Sequence, residues 1–147
     1  MKAAVVYYTF GGSTKKEAER IGAELGAPVY RVKEAHNRSF LGAFIPGGLQ
    51  ARRRKKTKIQ PPAGFDLSGF DQIYLGCPVW AAFPAPAFNA MVELLPPGKD
   101  VEIFLCAGGN DPRESDEGTK RLVEAKGCKV TRLYTIPTGA MPGKMKE

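Results

Sequence analysis

Thr9-Phe10-Gly11-Gly12-Ser13-Thr14 lies between a short apolar run and a segment of helical periodicity. Glycines in such a place let the backbone turn tightly and approach a ligand closely. The N–H groups at a helix start lack intrahelical acceptors and aim at an anion. Thr9, Ser13 and Thr14 add hydroxyl donors, so the loop suits a phosphate. The absence of a GxxxxGK[ST] pattern weighs against a nucleoside triphosphate. The plainer alternative is a glycine turn with a Ser/Thr helix cap.

A second segment is Gly76-Cys77-Pro78-Val79-Trp80-Ala81-Ala82-Phe83-Pro84-Ala85-Pro86. Its lone Trp, set among small residues and prolines, is a platform for stacking a flat ring. Trp80 as a core or lid residue is the competing explanation, and Phe83 is the rival aromatic. A third segment, Ala107-Gly108-Gly109-Asn110-Asp111, could bring backbone donors and acceptors against the edge of such a ring. A metal is not expected. The only histidine, His36, has no partner at ligand spacing, and Cys77, Cys106 and Cys128 form no CxxC pair.

The elements that must position these segments alternate. Lys2 to Tyr8 is a short β-prone run. Ser13 to Gly26 has helical periodicity, with Ala18, Ile21 and Leu25 on one face, Gly22 beside it for close packing, and Gly26 as the stop. Pro28 to Val32 is a second strand. Asn37 to Pro62 is irregular, with one or two helices broken at Pro46. Asp71 to Cys77 is a third strand, and Pro84 to Leu95 a helix with proline in its first turn. Val101 to Ala107, Ser115 to Lys126 and Lys129 to Ile136 follow as strand, polar-faced helix and strand, with Leu122, Val123 and Ala125 as the helix's apolar positions and Gly127 as its cap. Such alternation predicts an α/β fold, a parallel sheet with helices on both faces. Ligands of such sheets sit at the carboxyl ends of the strands, which is where all three segments fall.

With 147 residues, the chain is expected to form one domain with a full core and no need of disulfides. The apolar run at Ala3 to Phe10 is too short to span a membrane and lacks the features of a signal peptide. Together with an odd set of cysteines in apolar runs, read as small buried hydrophobes, this points to the cytoplasm. The net charge of +7 favours acidic or anionic partners. Much of it is local, at Arg52, Arg53, Arg54, Lys55, Lys56 and Lys58. A basic run can neutralise phosphates, but no standard nucleic-acid motif accompanies it. A solvated loop or a dock for an acidic partner is the favoured reading.

Taken together, the three segments resemble the flavodoxin family. Its phosphate loop, Ser/Thr-x-Thr-Gly-x-Thr, is similar to Thr9-Phe10-Gly11-Gly12-Ser13-Thr14. Its Ser-Pro-Val-Trp loop, followed by Pro-Ala-Pro, is similar to Cys77-Pro78-Val79-Trp80 and Pro84-Ala85-Pro86. Its Gly-Gly loop corresponds to Gly108-Gly109, and Gly47-Gly48 before the basic stretch also looks similar. The resemblance runs from residue 2 to about residue 136. It implies a three-layer flavodoxin-like fold with a five-stranded parallel sheet, an FMN cofactor, and one- or two-electron transfer. Thr9, Gly12, Ser13 and Thr14 would hold the phosphate, within a site formed by Thr9, Phe10, Gly11, Gly12, Ser13 and Thr14 together with Pro78, Val79 and Trp80. Trp80 would lie beside the isoalloxazine, Gly108 and Gly109 at its pyrimidine edge, and Asn110 would add a hydrogen bond. No catalytic acid or base is implied.

The departures carry expectations of their own. Gly11 stands where the family has Thr, so one hydroxyl donor is lost. That is a cost of roughly 1.5–3 kcal/mol, or about one to two decades of affinity. Cys77 replaces a common Ser, and Ala81 and Ala82 follow Trp80 where relatives have a second aromatic and a glycine. The family's final helix is missing: Pro137 to Gly143 holds two prolines and two glycines, and Lys144 to Glu147 is too short to replace it. An uncovered sheet face implies a homodimer or a docking partner. The positive charge implies a less negative flavin potential. The leading function is an FMN-binding redox protein, an electron carrier or small flavin-dependent reductase, with a redox protein or a small-molecule acceptor as partner. The alternative is a flavodoxin-like binding module that has lost flavin.

Overall fold

A computed structural model describes residues 2–35, 54, 56–108 and 113–138. The elements in order are β1 (Ala3–Tyr7), α1 (Ser13–Leu25), β2 (Val29–Arg31), β3 (Lys33–Glu34), β4 (Ile59–Gln60), β5 (Gln72–Trp80), β6 (Phe83–Pro84), α2 (Pro86–Val92), β7 (Asp100–Ala107), a 3-10 turn (Arg113–Ser115), α3 (Asp116–Glu124) and β8 (Lys129–Pro137). The main sheet runs β2-β1-β5-β7-β8, and all four of these pairings are parallel. The chain thus starts in the middle, steps to one edge, then crosses back past β1. This α/β doubly wound arrangement of five parallel strands is the flavodoxin-like fold.

Strand alternation divides the core. Ala4, Val6, Ile73, Leu75, Val101, Ile103 and Leu105 face one side, where Phe88 and Met91 of α2 and Val123 of α3 cover them. Val5, Tyr7 and Phe104 face the other, under Ala18 and Ile21 of α1. Two glycines allow the close approaches on that second side. A Cβ at Gly22 would run into the Val29 side chain, and one at Gly76 into the Phe104 ring. Phe104 sits opposite Gly76 in register, so its ring lies across the bare backbone of β5.

Several expectations change. Leu25 is 48% exposed rather than buried; Thr14 and Gly22 take the inward positions instead. At the end of α3, Ala125 is exposed, whereas Thr119 is fully buried. The third strand does not stop at Cys77: β5 continues through Trp80 and turns back antiparallel as β6. The helix expected from Pro84 therefore begins only at Pro86. The small β3–β4 ladder was not foreseen. His36, Gly47-Gly48, Arg52, Arg53, Lys55, Gly109, Asn110 and Lys144 to Glu147 lie outside the described residues, and with them the expectation about the family's final helix. Among the described residues, no helix is long and apolar enough to cross a membrane.

Candidate functional site

The loops after β1, β5 and β7 open at the same end of the sheet, because these three strands are parallel neighbours. Loop one is shaped by its glycines. Gly11 has φ 110° and Gly12 φ 103°, a region that residues with a Cβ rarely adopt. Gly11, the departure from the family's Thr, thus has a local reason: its backbone conformation favours glycine. The Gly12 N–H donates to Thr9 Oγ1 at 3.1 Å, closing the turn, and Gly12 O accepts from Lys16 N–H at 3.1 Å. Thr9 is buried under the loop. The first turn of α1 holds no acidic residue, so its positive dipole end is not offset by its own side chains.

Thr14 is not a surface hydroxyl. It is 1% exposed and hydrogen-bonded with Cys106 on β7, joining loop one to the third strand of the site. Burial pushes the Cys106 thiol up to about 11, while the Thr14 bond pulls it back. Burial drives the Cys77 thiol still higher, against a backbone hydrogen bond from Ala85. Both are therefore neutral packing groups, as expected of small buried hydrophobes.

Trp80 is 4% exposed. Its ring meets Phe10 edge-on, with centroids 5.6 Å apart at 89°, and Tyr8 at 6.1 Å and 82°. This aromatic cluster ties loop one to loop two, and Tyr8 Oη extends it by donating to Glu34 Oε1 at 2.7 Å. Trp80 is thus part of the wall of the site rather than an open platform. Val79 is core, and the carbonyl of Pro78 accepts from Ala85 N–H at 3.0 Å. Gly108 follows β7 directly and is half-buried, where the Ala107 carbonyl accepts from Thr138 N–H at 2.9 Å. Residues Thr9, Phe10, Gly11, Gly12, Ser13, Thr14, Trp80 and Gly108 therefore gather at one end of the sheet. Among the described residues, no group of three His, Cys, Asp or Glu could hold a metal ion.

Residues that sequence reasoning missed stand behind loop two. Arg54 donates from Nη2 to Ser115 O at 2.9 Å and from Nη1 to Thr119 Oγ1 at 3.2 Å, and its guanidinium lies 5.0 Å from the centre of the Phe83 ring. Burial lowers its pKa. Ser115 Oγ in turn donates to Ala82 O at 3.0 Å. Lys56 pairs with Glu93 at 2.9 Å. Two members of the basic run are therefore occupied within the molecule. Only a basic cluster was visible in the sequence, and nothing in it distinguished Arg54 from its neighbours.

The fold and these loops define a flavodoxin-like α/β protein with a positive-φ glycine turn and an aromatic wall at the carboxyl end of its sheet. The chain is similar, at 23% identity and TM-score 0.69, to a flavoprotein of Lactobacillus acidophilus solved in complex with FMN, with 91% of this chain and 92% of that one covered. A Bacteroides eggerthii protein superposes with TM-score 0.78 at 20% identity, over 92% of this chain and 87% of that one. Oxidised flavodoxin 1 from Bacillus cereus matches with TM-score 0.50 at 14% identity, over 93% and 86%. An uncharacterized protein of Archaeoglobus fulgidus is 27% identical over 126 residues, which is 84% of this chain and 77% of that protein. No protein-family model matches the chain.

Proposed function

We propose that this chain binds FMN and works as a redox protein, passing electrons to a partner protein or a small-molecule acceptor. The observation that carries the reading is the convergence of the Gly11-Gly12 turn, the Trp80 wall and Gly108 at the carboxyl ends of β1, β5 and β7. The donor set fits the cofactor. The glycine turn and the start of α1 suit a doubly charged phosphate, and the aromatic wall suits a flat ring. The similarity to an FMN complex supports the same ligand. When bound, FMN supplies one- and two-electron chemistry.

The protein's part is to bind, orient and shield. Thr9 sets the loop by accepting from Gly12 N–H, and Ser13 is the partly exposed hydroxyl of the turn. Phe10 is the residue that must yield for a ring to reach Trp80, because it meets Trp80 edge-on and lies next to Gly11 and Gly12. Ordering a displaced aromatic on binding lowers affinity, in the same direction as the missing loop Thr.

A flavin-free module is the second reading, favoured by the closed Tyr8–Trp80–Phe10 cluster. Titration of purified protein with FMN separates the two. Saturable quenching of flavin fluorescence is expected, weaker in Gly12→Ala and Trp80→Ala, with folding of each variant checked by circular dichroism. No quenching at high micromolar FMN would favour the flavin-free module. A homodimer and a cytoplasmic location belong to the same proposal.

A further inference from the structure

Trp80 and Phe83 flank a two-residue hairpin turn in which Ala81 has φ 52° and Ala82 φ 68°. Turns of this mirror-image type favour Asn and Gly, because a Cβ is strained there. Two consecutive alanines persist in such a conformation only where the surroundings over-determine it. The surroundings here are Arg54 and the start of α3. Ser115 Oγ holds the Ala82 carbonyl at 3.0 Å, the Ser115 carbonyl is held by Arg54 Nη2 at 2.9 Å, and the same guanidinium lies against Phe83. Gly118 shows how closely the guanidinium is seated. It stands inside α3, where glycine is disfavoured relative to alanine. A Cβ there would lie 2.8 Å from Arg54 Nη2.

We infer that Arg54 is a positioning residue for the flavin: it clamps the Ala81–Ala82 turn against α3 and so sets the direction of Trp80 at the ring site. This rests on the FMN reading above. Arg54 reaches the site through Phe83 and Ser115 rather than by touching the ligand. It explains why one member of a basic run is half-buried while Lys56 and Lys58 are exposed. The planar fork is what the place requires. It reaches a carbonyl and a hydroxyl while lying over a ring, which a lysine ammonium on a flexible stem cannot reproduce.

The test uses the full chain with Arg54→Met, Arg54→Lys and Ser115→Ala, the last removing the hydroxyl that donates to the Ala82 carbonyl. Backbone couplings and carbon shifts of Ala81 and Ala82 in the FMN-free protein report their positive φ directly. FMN titration and the visible circular dichroism of bound FMN report the placement of the ring. The expected result is loss of the positive-φ signals in all three variants, FMN binding weaker by roughly tenfold, and an altered flavin dichroism band. Persistence of those signals in Arg54→Met would overturn the clamp. Full rescue by Arg54→Lys would refute the requirement for the planar fork, because charge alone would then hold the turn. Lost signals with unchanged FMN affinity and dichroism would refute the positioning role. If the parent protein binds no FMN, the flavin reading and the positioning role fail together, and the backbone signals still decide whether Arg54 holds the turn.

Discussion

Replacing Gly76 by alanine puts a methyl group where the Phe104 ring lies. The new Cβ would stand 2.8 Å from Cε1 and closer still to Cζ and Cε2. Carbon atoms pack best at about 3.5–4.0 Å, so the ring has to retreat by roughly 1 Å or more. It has little room to do so. Phe104 is fully buried among Val5, Tyr7, Ala18 and Ile21, with α1 directly above. Overpacking of this kind costs about 1–3 kcal/mol, and the confinement argues for the upper part of that range. Phe104→Leu alone should cost about 1–2 kcal/mol, less than the ~3–5 kcal/mol typical of Phe→Ala. In the double variant the shorter side chain makes room for the methyl group, so the combined cost should fall short of the sum by about 1 kcal/mol or more. Urea unfolding of the four proteins measures this directly. Because α1 begins at the phosphate-type turn, FMN affinity should fall in Gly76→Ala and recover in the double variant. Additive costs within about 0.5 kcal/mol would refute the steric argument.

Two further outcomes follow from buried groups. Cys77, Cys106 and Cys128 are all buried, and burial holds the Cys106 thiol near 11. At about pH 8, where an ordinary thiol is partly ionised, a disulfide-exchange reagent should therefore label the protein only after unfolding in urea. Rapid labelling of the folded chain would contradict the packing. Burial, followed by the charges of Glu102 and Glu17, raises the Tyr134 phenol from 10.0 to about 12. The folded state then holds this proton more tightly than the unfolded state. Its contribution to stability is complete below pH 10 and is lost as pH rises through about 12. Unfolding measured across that window should show a decline with pH that is smaller in Tyr134→Phe; equal slopes would count against it.

Local chemistry made much of the site legible. The run from Ala3 through Gly12 into α1 combines a β-prone segment, glycines for the turn and a helix that stops at Gly26, which has φ 63°. Each of these signals acts within a few residues. The same is true of Pro86 at the start of α2 and of the short apolar strands β1 and β7. The alternation of elements then restricted the sheet to a parallel, doubly wound one.

Other features depend on residues far apart in sequence. Leu25 continues the apolar spacing of α1 but is left 48% exposed at the last residue of the helix. Trp80 read as a platform; only the packing of Tyr8 and Phe10 from β1 and its loop made it a wall. Ala81 and Ala82 carry no turn signal, because their positive φ is imposed by Ser115 and Arg54 rather than chosen by the residues themselves. Sequence by itself thus determined the elements, the glycine turn and the end of the sheet where a ligand would sit, since backbone propensity and hydrophobic period act over one turn or two. Tertiary structure alone decided which side chains face the site and which hold it from behind, because those contacts join residues such as Arg54 and Ser115 across 61 positions of chain.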